Sequence, residues 1–196
     1  MVPVGVSNRH VHLCEEDFQV LFARDAARRG LSKLRDLSQP GQFVASEAVS
    51  IAGPKGSIGS VRVLGPLRAR TQVEVSRTDA YTLGISPPVR DSGDLDGSGP
   101  IVLIGPNGGV SLNEGAIIAA RHIHMTPDEA SQWGLRDGDR VEVEVTGQRG
   151  LVFREVLVRA DERFRLEMHV DTDEANAALL RTGDSVEVIV GCRASQ

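Results

Sequence analysis

The sequence predicts a mainly β fold, built as barrels or a sandwich, with only a few short helices. Segments of β-branched residues recur in which apolar and polar residues alternate with period two, as expected of half-buried antiparallel strands. The 21 glycines and 9 prolines interrupt the chain often, and stretches with helical periodicity are short. The predicted strands cover residues 2–6, 60–64, 71–75, 140–145 and 184–190.

Three helices are predicted between these strands. Residues 15–29 carry apolar side chains at helical spacing. A capping box with proline at the first helical position opens a second, short helix after Thr126, which we expect to end near Gly134. A third helix is predicted to begin at Asp171 and to stop before Gly183.

Composition and charge exclude several classes of protein. Hydrophobic residues make up 40% of the chain and charged residues 25%, as in an average globular domain. No apolar run approaches the roughly 20 residues of a membrane span, so no membrane association is expected. The net charge of -5 argues against a nucleic-acid partner. The first residues lack the features of a signal peptide, so an interior compartment is expected.

An internal sequence repeat predicts two similar modules that meet at a pseudo-symmetric interface. Arg9-His10-Val11-His12-Leu13 is followed by acidic residues, and Arg121-His122-Ile123-His124-Met125 is followed by the same type of segment. In a second repeat, residues 135–143 are similar in sequence to residues 180–188, which predicts two turns that each lead into a strand. Residues 84–100 are too rich in Gly and Pro for a regular element, and both an ordered functional loop and a plain surface connector fit them.

Four of the five histidines form two His-x-His pairs, His10 with His12 and His122 with His124. In an extended strand residues i and i+2 point to the same side, so each pair directs two imidazoles into one space. Two neutral imidazoles so placed can bind a divalent metal such as zinc, whereas a single pair is more often two half-exposed strand histidines. The repetition in matching contexts favours two metal ions.

Each metal needs at least a third protein ligand. For the second pair the remaining histidine is His169, although a capping or core role fits it equally well. For the first pair a carboxylate must serve. Glu74 is attractive because it alternates along the chain with Arg68, Arg70 and Gln72, and all four would face the same way if the strand is continuous. That strand would place an anion beside the metal, unless the arginines lie on a solvated face. Three protein ligands leave a coordination position open for catalysis.

Seven ordered motifs of this chain together resemble the PduL-type phosphate acyltransferases, over nearly the whole length from Val4 to Val190. The motifs are residues 4–13, 33–43, 63–68, 76–80, 87–94, 121–125 and 168–176.

The resemblance implies a phosphotransacylase that reversibly transfers a short acyl group, propanoyl or acetyl, between coenzyme A and inorganic phosphate. It implies two β-barrel domains capped by short α-helices, with a dinuclear zinc site at their interface. The first domain would comprise residues 1–8 plus 120–196 and the second residues 9–119. Phosphate would attack the thioester directly, without an acyl-enzyme.

The resemblance also assigns residues to roles, one position at a time. One zinc ion would be held by His10, His12 and Glu74, and would also meet the sulfur of coenzyme A. The second zinc ion would be held by His122, His124 and His169. Arg68 matches the catalytic arginine that holds phosphate. Positions matching coenzyme A contacts are Ser7, Lys33, Arg62, Leu64 and Asn176.

Partners and location follow from the same resemblance. The expected partners are acyl-CoA or CoA, phosphate or acyl phosphate, a second copy in a homodimer, and microcompartment shell or cargo proteins of propanediol degradation. The chain starts almost on the first motif, without the N-terminal targeting helix of microcompartment members. The bacterial cytoplasm and the microcompartment lumen therefore both remain expected locations.

Two other functions are compatible with these residues. The metal ligands alone would also suit a dinuclear zinc hydrolase, in which water attacks an ester. The Gly-Asp-x-Val-x-Val turn also occurs in β-barrels that only bind ligands. Phosphate-independent loss of thioester would favour the hydrolase, and absence of bound metal would favour the binding module.

Overall fold

The computed structural model describes residues 1–22 and 30–189, and these residues form a mainly β protein. Its helices are α1 (Glu15–Phe22), α2 (Arg77–Leu83), α3 (Pro127–Gln132) and α4 (Thr172–Ala178). Its strands are β1 (Val2–Ser7), β2 (His10–His12), β3 (Lys33–Asp36), β4 (Phe43–Gly53), β5 (Gly56–Gly65), β6 (Gln72–Glu74), β7 (Val89–Arg90), β8 (Gly99–Ile104), β9 (Gly109–Ala119), β10 (His122–Met125), β11 (Arg140–Val145), β12 (Leu151–Ala160), β13 (Glu167–Asp171) and β14 (Ser185–Ile189). Over the described residues, every helix is too short to cross a bilayer.

The chain divides into two compact units. The discontinuous unit combines Met1–Ser7 with the chain from Ala120 onward, and the continuous unit is Asn8–Ala119. Each unit has its own apolar core, and their members differ completely. The first core includes Val4, Ile123 and Met168, whereas Val11 and Val73 belong to the second.

Six strands of the discontinuous unit close into a barrel in the order β1, β13, β10, β12, β11, β14. The His-x-His strand β10 runs parallel to β12 and antiparallel to β13. The barrel closes where β14 pairs with β1. Because side chains alternate along each strand, Ile123 enters the core while the two histidines on either side of it face the opposite way.

Six strands of the continuous unit form a second closed ring in the order β2, β6, β9, β8, β4, β5. The ring closes because β8 pairs with both β9 and β4. Strands β3 and β7 are added at the edges of this ring, on β4 and β9. Strand β2 runs parallel to β5 and antiparallel to β6. Each pairing has a counterpart of the same direction in the other barrel, so the two units share one topology.

The shared topology of the two barrels explains the internal sequence repeat. Strand β1 leads directly into β2, and β9, its counterpart in the other barrel, leads directly into β10. Each barrel thus contains the strand that directly precedes the His-x-His strand of the other unit. The two-barrel fold with short helices, expected from the resemblance, is confirmed by these pairings.

Most predicted elements are confirmed. Strand β11 has the predicted bounds, and helices α3 and α4 begin after the capping residues Thr126 and Asp171. The two predicted turns have the same hydrogen bond, from Arg136 N to Asp139 Oδ2 at 2.9 Å and from the equivalent amide of Arg181 at 2.8 Å. Helix α1 follows the first part of its prediction, and residues 23–29 lie outside the described residues.

Two local features differ from the sequence-based expectation. The strand that would give Arg68 and Glu74 a common face is not continuous, because β6 begins only at Gln72 and the backbone amide of Arg68 donates to Leu13 O at 2.9 Å. Helix α2 was not predicted, although Ser76 caps it in a capping box. Residues 84–100 are irregular as predicted, apart from the two residues of β7 and the first residues of β8.

An equivalent ion pair ties a helix to the His-x-His strand in each barrel. Arg9 precedes His10 and reaches the capping acid Asp79 of α2, with its Nη2 at 2.7 Å from Oδ1. Arg121 precedes His122 and reaches the capping acid of α4 at 2.7 Å. Both arginines therefore fix the start of the strand that carries the histidines.

Arg9→Ala is expected to lower the free energy of unfolding by about 3 kcal/mol, because it leaves the buried carboxylate of Asp79 without its cation. Denaturant unfolding of both variants measures this loss. Arg77→Ala, an exposed position in the same helix, is the control and should change stability by less than about 0.5 kcal/mol. Equal effects of the two substitutions would contradict the role of the ion pair.

Candidate metal centres

His10, His12 and Glu74 come together in the continuous unit. Their potential ligand atoms lie within 4.8 Å of one another. The histidines share one face of β2, and the antiparallel register of β2 with β6 sets Glu74 directly opposite His10. The Nε2 atom of His10 is 3.3 Å from Glu74 Oε2, close to the separation of two ligands on a tetrahedral zinc ion.

His122, His124 and His169 form the equivalent cluster in the discontinuous unit, again within 4.8 Å. The register of β10 with β13 sets His169 opposite His122. His169 and Glu74 therefore occupy corresponding positions in the two barrels. The rings of His122 and His169 are stacked with centroids 5.1 Å apart.

The hydrogen bonds of the histidines leave nitrogen atoms for a ligand. His10 Nδ1 and His122 Nδ1 each lie 2.8 Å from the backbone carbonyl two residues upstream. A carbonyl only accepts, so Nδ1 carries the proton and the lone pair of Nε2 remains. Nδ1 of His12 and Nδ1 of His124 are buried without a hydrogen-bond partner. Orphaned buried nitrogens in two clusters fit a borderline-soft metal such as zinc.

Electrostatics keep two of the imidazoles neutral. Burial, with repulsion from His10 and Arg68, holds the pKa of His12 well below its usual value. Burial and the neighbouring histidines lower the pKa of His124 to about 2. Both rings are therefore neutral near pH 7, the form that binds a metal.

A carboxylate gives the first cluster a different charge. Burial alone lowers the pKa of His10, but the Glu74 carboxylate outweighs it and raises that pKa. Burial alone raises the pKa of Glu74, but attraction to His10 and the hydrogen bond from Ser92 hold it well below its usual range. Glu74 is therefore ionised in the folded protein, whereas the corresponding ligand of the other cluster is an imidazole.

The metal-free protein is expected to lose stability as the pH falls below 6.5, because unfolded His124 takes up a proton that the folded ring, with a pKa of about 2, does not. Stability from this group is present above pH 6.5 and falls by about 1.4 kcal/mol per pH unit below it. Denaturation at pH 7 and pH 5 measures the loss, which should be about 2 kcal/mol smaller in His124→Asn. Equal losses in both proteins would contradict the buried neutral ring.

Each third ligand has a partner two residues upstream on the same strand face, and the sequence reasoning gave neither partner a role. Gln72 Nε2 donates to Glu74 Oε1 at 2.6 Å, and Glu167 Oε2 lies 3.0 Å from His169 Nε2. Gln72 and Glu167 occupy corresponding positions in the two barrels, since Gln72 is opposite His12 and Glu167 is opposite His124. An amide donor thus accompanies the carboxylate ligand, and a carboxylate accompanies the imidazole ligand.

Arg68 lies near the first cluster, half-buried within the segment that joins β5 to β6. Its Nη1 donates to Ser92 Oγ at 3.2 Å, and its charge contributes to lowering the pKa of His12. Arg70 instead makes exposed ion pairs with Asp96 and Glu114 at 2.9 and 3.3 Å. The two arginines therefore do not share one face, and only Arg68 approaches the histidines.

The positions expected to contact coenzyme A fall in both units. Lys33, Arg62 and Leu64 lie on β3 and β5, which flank β4 in the continuous unit. Ser7 and Asn176 belong to the discontinuous unit, where helix α4 packs on β13 and β1. The side chains of Lys33 and Asn176 are exposed, so they are accessible to a ligand.

One further cation, Arg159, lies beside the second cluster, and the sequence analysis did not name it among the site residues. Arg159 is opposite His124 in the register of β10 with β12, and its guanidinium stacks 5.8 Å from the ring of Phe164. The same Phe164 ring lies 4.1 Å from His124. Arg159 faces the same side of the sheet as the histidines. Only the strand pairing reveals this, and it is the signal that could have identified Arg159.

Comparison with known proteins gives a consistent result. The family model for phosphate propanoyltransferases matches residues 3–181 of this chain. The phosphate propanoyltransferase of Thermotoga maritima is 57% identical over 170 residues, which cover 86% of this chain and 80% of that protein. Those of Priestia megaterium and Rhodobacter capsulatus are 54% and 52% identical, and the alignments cover 87% of this chain with 77% and 78% of the relatives.

Proposed function

This chain belongs to the phosphate propanoyltransferase family and is a phosphate acyltransferase, and we propose that it transfers a short acyl group between coenzyme A and inorganic phosphate at two zinc ions. Phosphate attacks the thioester carbonyl carbon directly, the bond to sulfur breaks, and acyl phosphate and free CoA leave. The acyl group is propanoyl or acetyl.

The observation that carries the proposal is the pair of corresponding three-ligand clusters. Each combines two imidazoles from one strand with a third ligand from the antiparallel neighbour. Three ligands leave a position open for substrate, whereas a structural zinc site uses four. Bound zinc supplies Lewis-acid stabilisation of negative charge on the carbonyl oxygen or the sulfur.

Arg68 is proposed to hold the attacking phosphate. Its planar fork suits a phosphate oxyanion, and the hydrogen bond to Ser92 fixes one of its nitrogen atoms. Holding phosphate beside the thioester converts a bimolecular step into a positioned one. His12 and His124 are neutral at neutral pH and so offer no imidazolium proton, because their pKa values are lowered.

Coenzyme A is proposed to contact Ser7, Lys33, Arg62, Leu64 and Asn176. Lys33 and Arg62 bring positive charge that suits the phosphate groups of this substrate. Arg62 is opposite His10 in the register of β5 with β2, so it lies next to the first cluster. Its Nη1 donates to Ser46 O at 2.9 Å, which leaves other guanidinium nitrogens for the substrate.

Release of CoA from propanoyl-CoA, measured with and without phosphate, tests the proposal. Release that requires phosphate and yields propanoyl phosphate is the expected result. Thioester loss that is independent of phosphate would instead favour a dinuclear hydrolase. Absence of both reactions in a zinc-loaded protein would favour a barrel that only binds ligands.

A further inference from the structure

Ser92 lies at the centre of a hydrogen-bond network beside the first cluster. Its hydroxyl is 2.9 Å from Glu74 Oε1, 2.9 Å from Gln72 Nε2 and 3.2 Å from Arg68 Nη1. The residue belongs to the irregular segment 91–98, between β7 and β8. Its residues 91–94 belong to one of the resemblance motifs, and the proposed function gives them no task.

Donor and acceptor chemistry fixes the direction of every bond in this network. The Glu74 carboxylate only accepts, whereas the nitrogen atoms of Arg68 and Gln72 only donate. The Ser92 hydroxyl must therefore donate its one proton to Glu74 and accept from the other two. Its donor and both lone pairs are then used, so a single arrangement satisfies all three contacts.

The segment around Ser92 is held against strand β6. The Gly93 amide donates to Gln72 Oε1 at 2.8 Å, and Gln72 is only 1% exposed. Ser98 closes the same segment, since its hydroxyl donates to Leu95 O at 2.6 Å. Ser92 thus reaches Glu74 from a fixed backbone position.

The network also distinguishes the two oxygen atoms of Glu74. Oε1 accepts from both Gln72 and Ser92, whereas Oε2 lies 3.3 Å from His10 Nε2. Oε2 is therefore the oxygen directed at the space between the three ligands. Supporting contacts of this kind orient a metal ligand, and their loss commonly weakens metal affinity by about 10–100-fold.

We propose that Ser92 is a positioning residue that couples the phosphate site at Arg68 to the metal ligand Glu74. The inference rests on the proposed function and adds a residue and a linkage to it. Phosphate that orders Arg68 also orders Ser92, and through it the Glu74 carboxylate. By reciprocity, a metal ion held by Glu74 favours the arrangement of Arg68 that binds phosphate.

Zinc release to a chelator, with and without inorganic phosphate, is the first test. Phosphate should slow release of one zinc ion from the wild type. In Ser92→Ala that ion should leave about ten times faster and lose its response to phosphate. Ser92→Thr keeps the hydroxyl and should restore both properties. Ser98→Ala removes a buried hydroxyl of the same segment and should behave as the wild type does.

A double-mutant cycle on the KM for phosphate is the second test. Ser92→Ala should raise that KM about tenfold with little change in the KM for propanoyl-CoA, and should add no further increase to Arg68→Ala. Effects that simply add, or wild-type zinc release and KM in Ser92→Ala, would overturn the inference. So would an equal effect of Ser98→Ala. If the wild type shows no phosphate-dependent CoA release, the proposed function fails, while zinc release still tests the link between Ser92 and Glu74.

Discussion

His12→Ala is expected to remove one zinc ion per chain and to lower kcat/KM by a factor on the order of 10³. The substitution deletes an imidazole whose Nδ1 is buried without a partner in the first cluster. A catalytic metal contributes several kcal/mol to the transition state, and about 4 kcal/mol corresponds to 10³ in rate. Elemental analysis and initial rates measure the two losses.

Val11→Ala is the matched control for this loss. Val11 lies between the two histidines, but its side chain is fully buried in the barrel core. The substitution should lower stability by about 2 kcal/mol and leave both zinc ions in place. If Val11→Ala loses zinc and activity as His12→Ala does, the effect comes from the barrel and not from a ligand.

Arg68→Ala is expected to lower kcat/KM for phosphate by about 10²–10³, the usual effect of removing one preorganised donor. The KM for propanoyl-CoA should change little, and Arg68→Lys should recover only part of the loss because it lacks the planar fork. Steady-state kinetics with phosphate and propanoyl-CoA varied separately distinguish these effects.

Arg70→Ala controls for the loss of positive charge in the same segment. Arg70 pairs with Asp96 and Glu114 on the exposed side, so its removal should leave the phosphate dependence unchanged. Normal phosphate dependence in Arg68→Ala would show that the role given to Arg68 is wrong. Equal losses from both arginine substitutions would indicate a general charge effect instead.

The sequence predicts the histidine pairs well because their geometry is local. Residues i and i+2 of a strand face the same side wherever that strand lies, so the four histidines needed no tertiary information. His169 and Glu74 required more, because their equivalence appears only in the register opposite His122 and His10. The resemblance supplied what local geometry could not.

The supporting residues were harder to predict because they depend on how distant segments meet. Ser92 is 18 positions from Glu74 in the sequence. Its partner Gln72 was expected to share a strand face with Glu74, but no role was given to it. Arg68 was expected on the same strand as Glu74, yet the chain turns before β6 and brings Arg68 to the cluster through Ser92. Helix α2 could have been found, since Ser76 and Asp79 have the spacing of a capping box.

Zinc titration of the metal-free protein, monitored by phosphate-dependent CoA release, tests whether the reaction needs a metal ion in each cluster. Activity should be absent without metal and should reach its maximum at two zinc ions per chain, one for each cluster. Full phosphate-dependent activity in the metal-free protein, or a maximum at one zinc ion, would contradict this requirement.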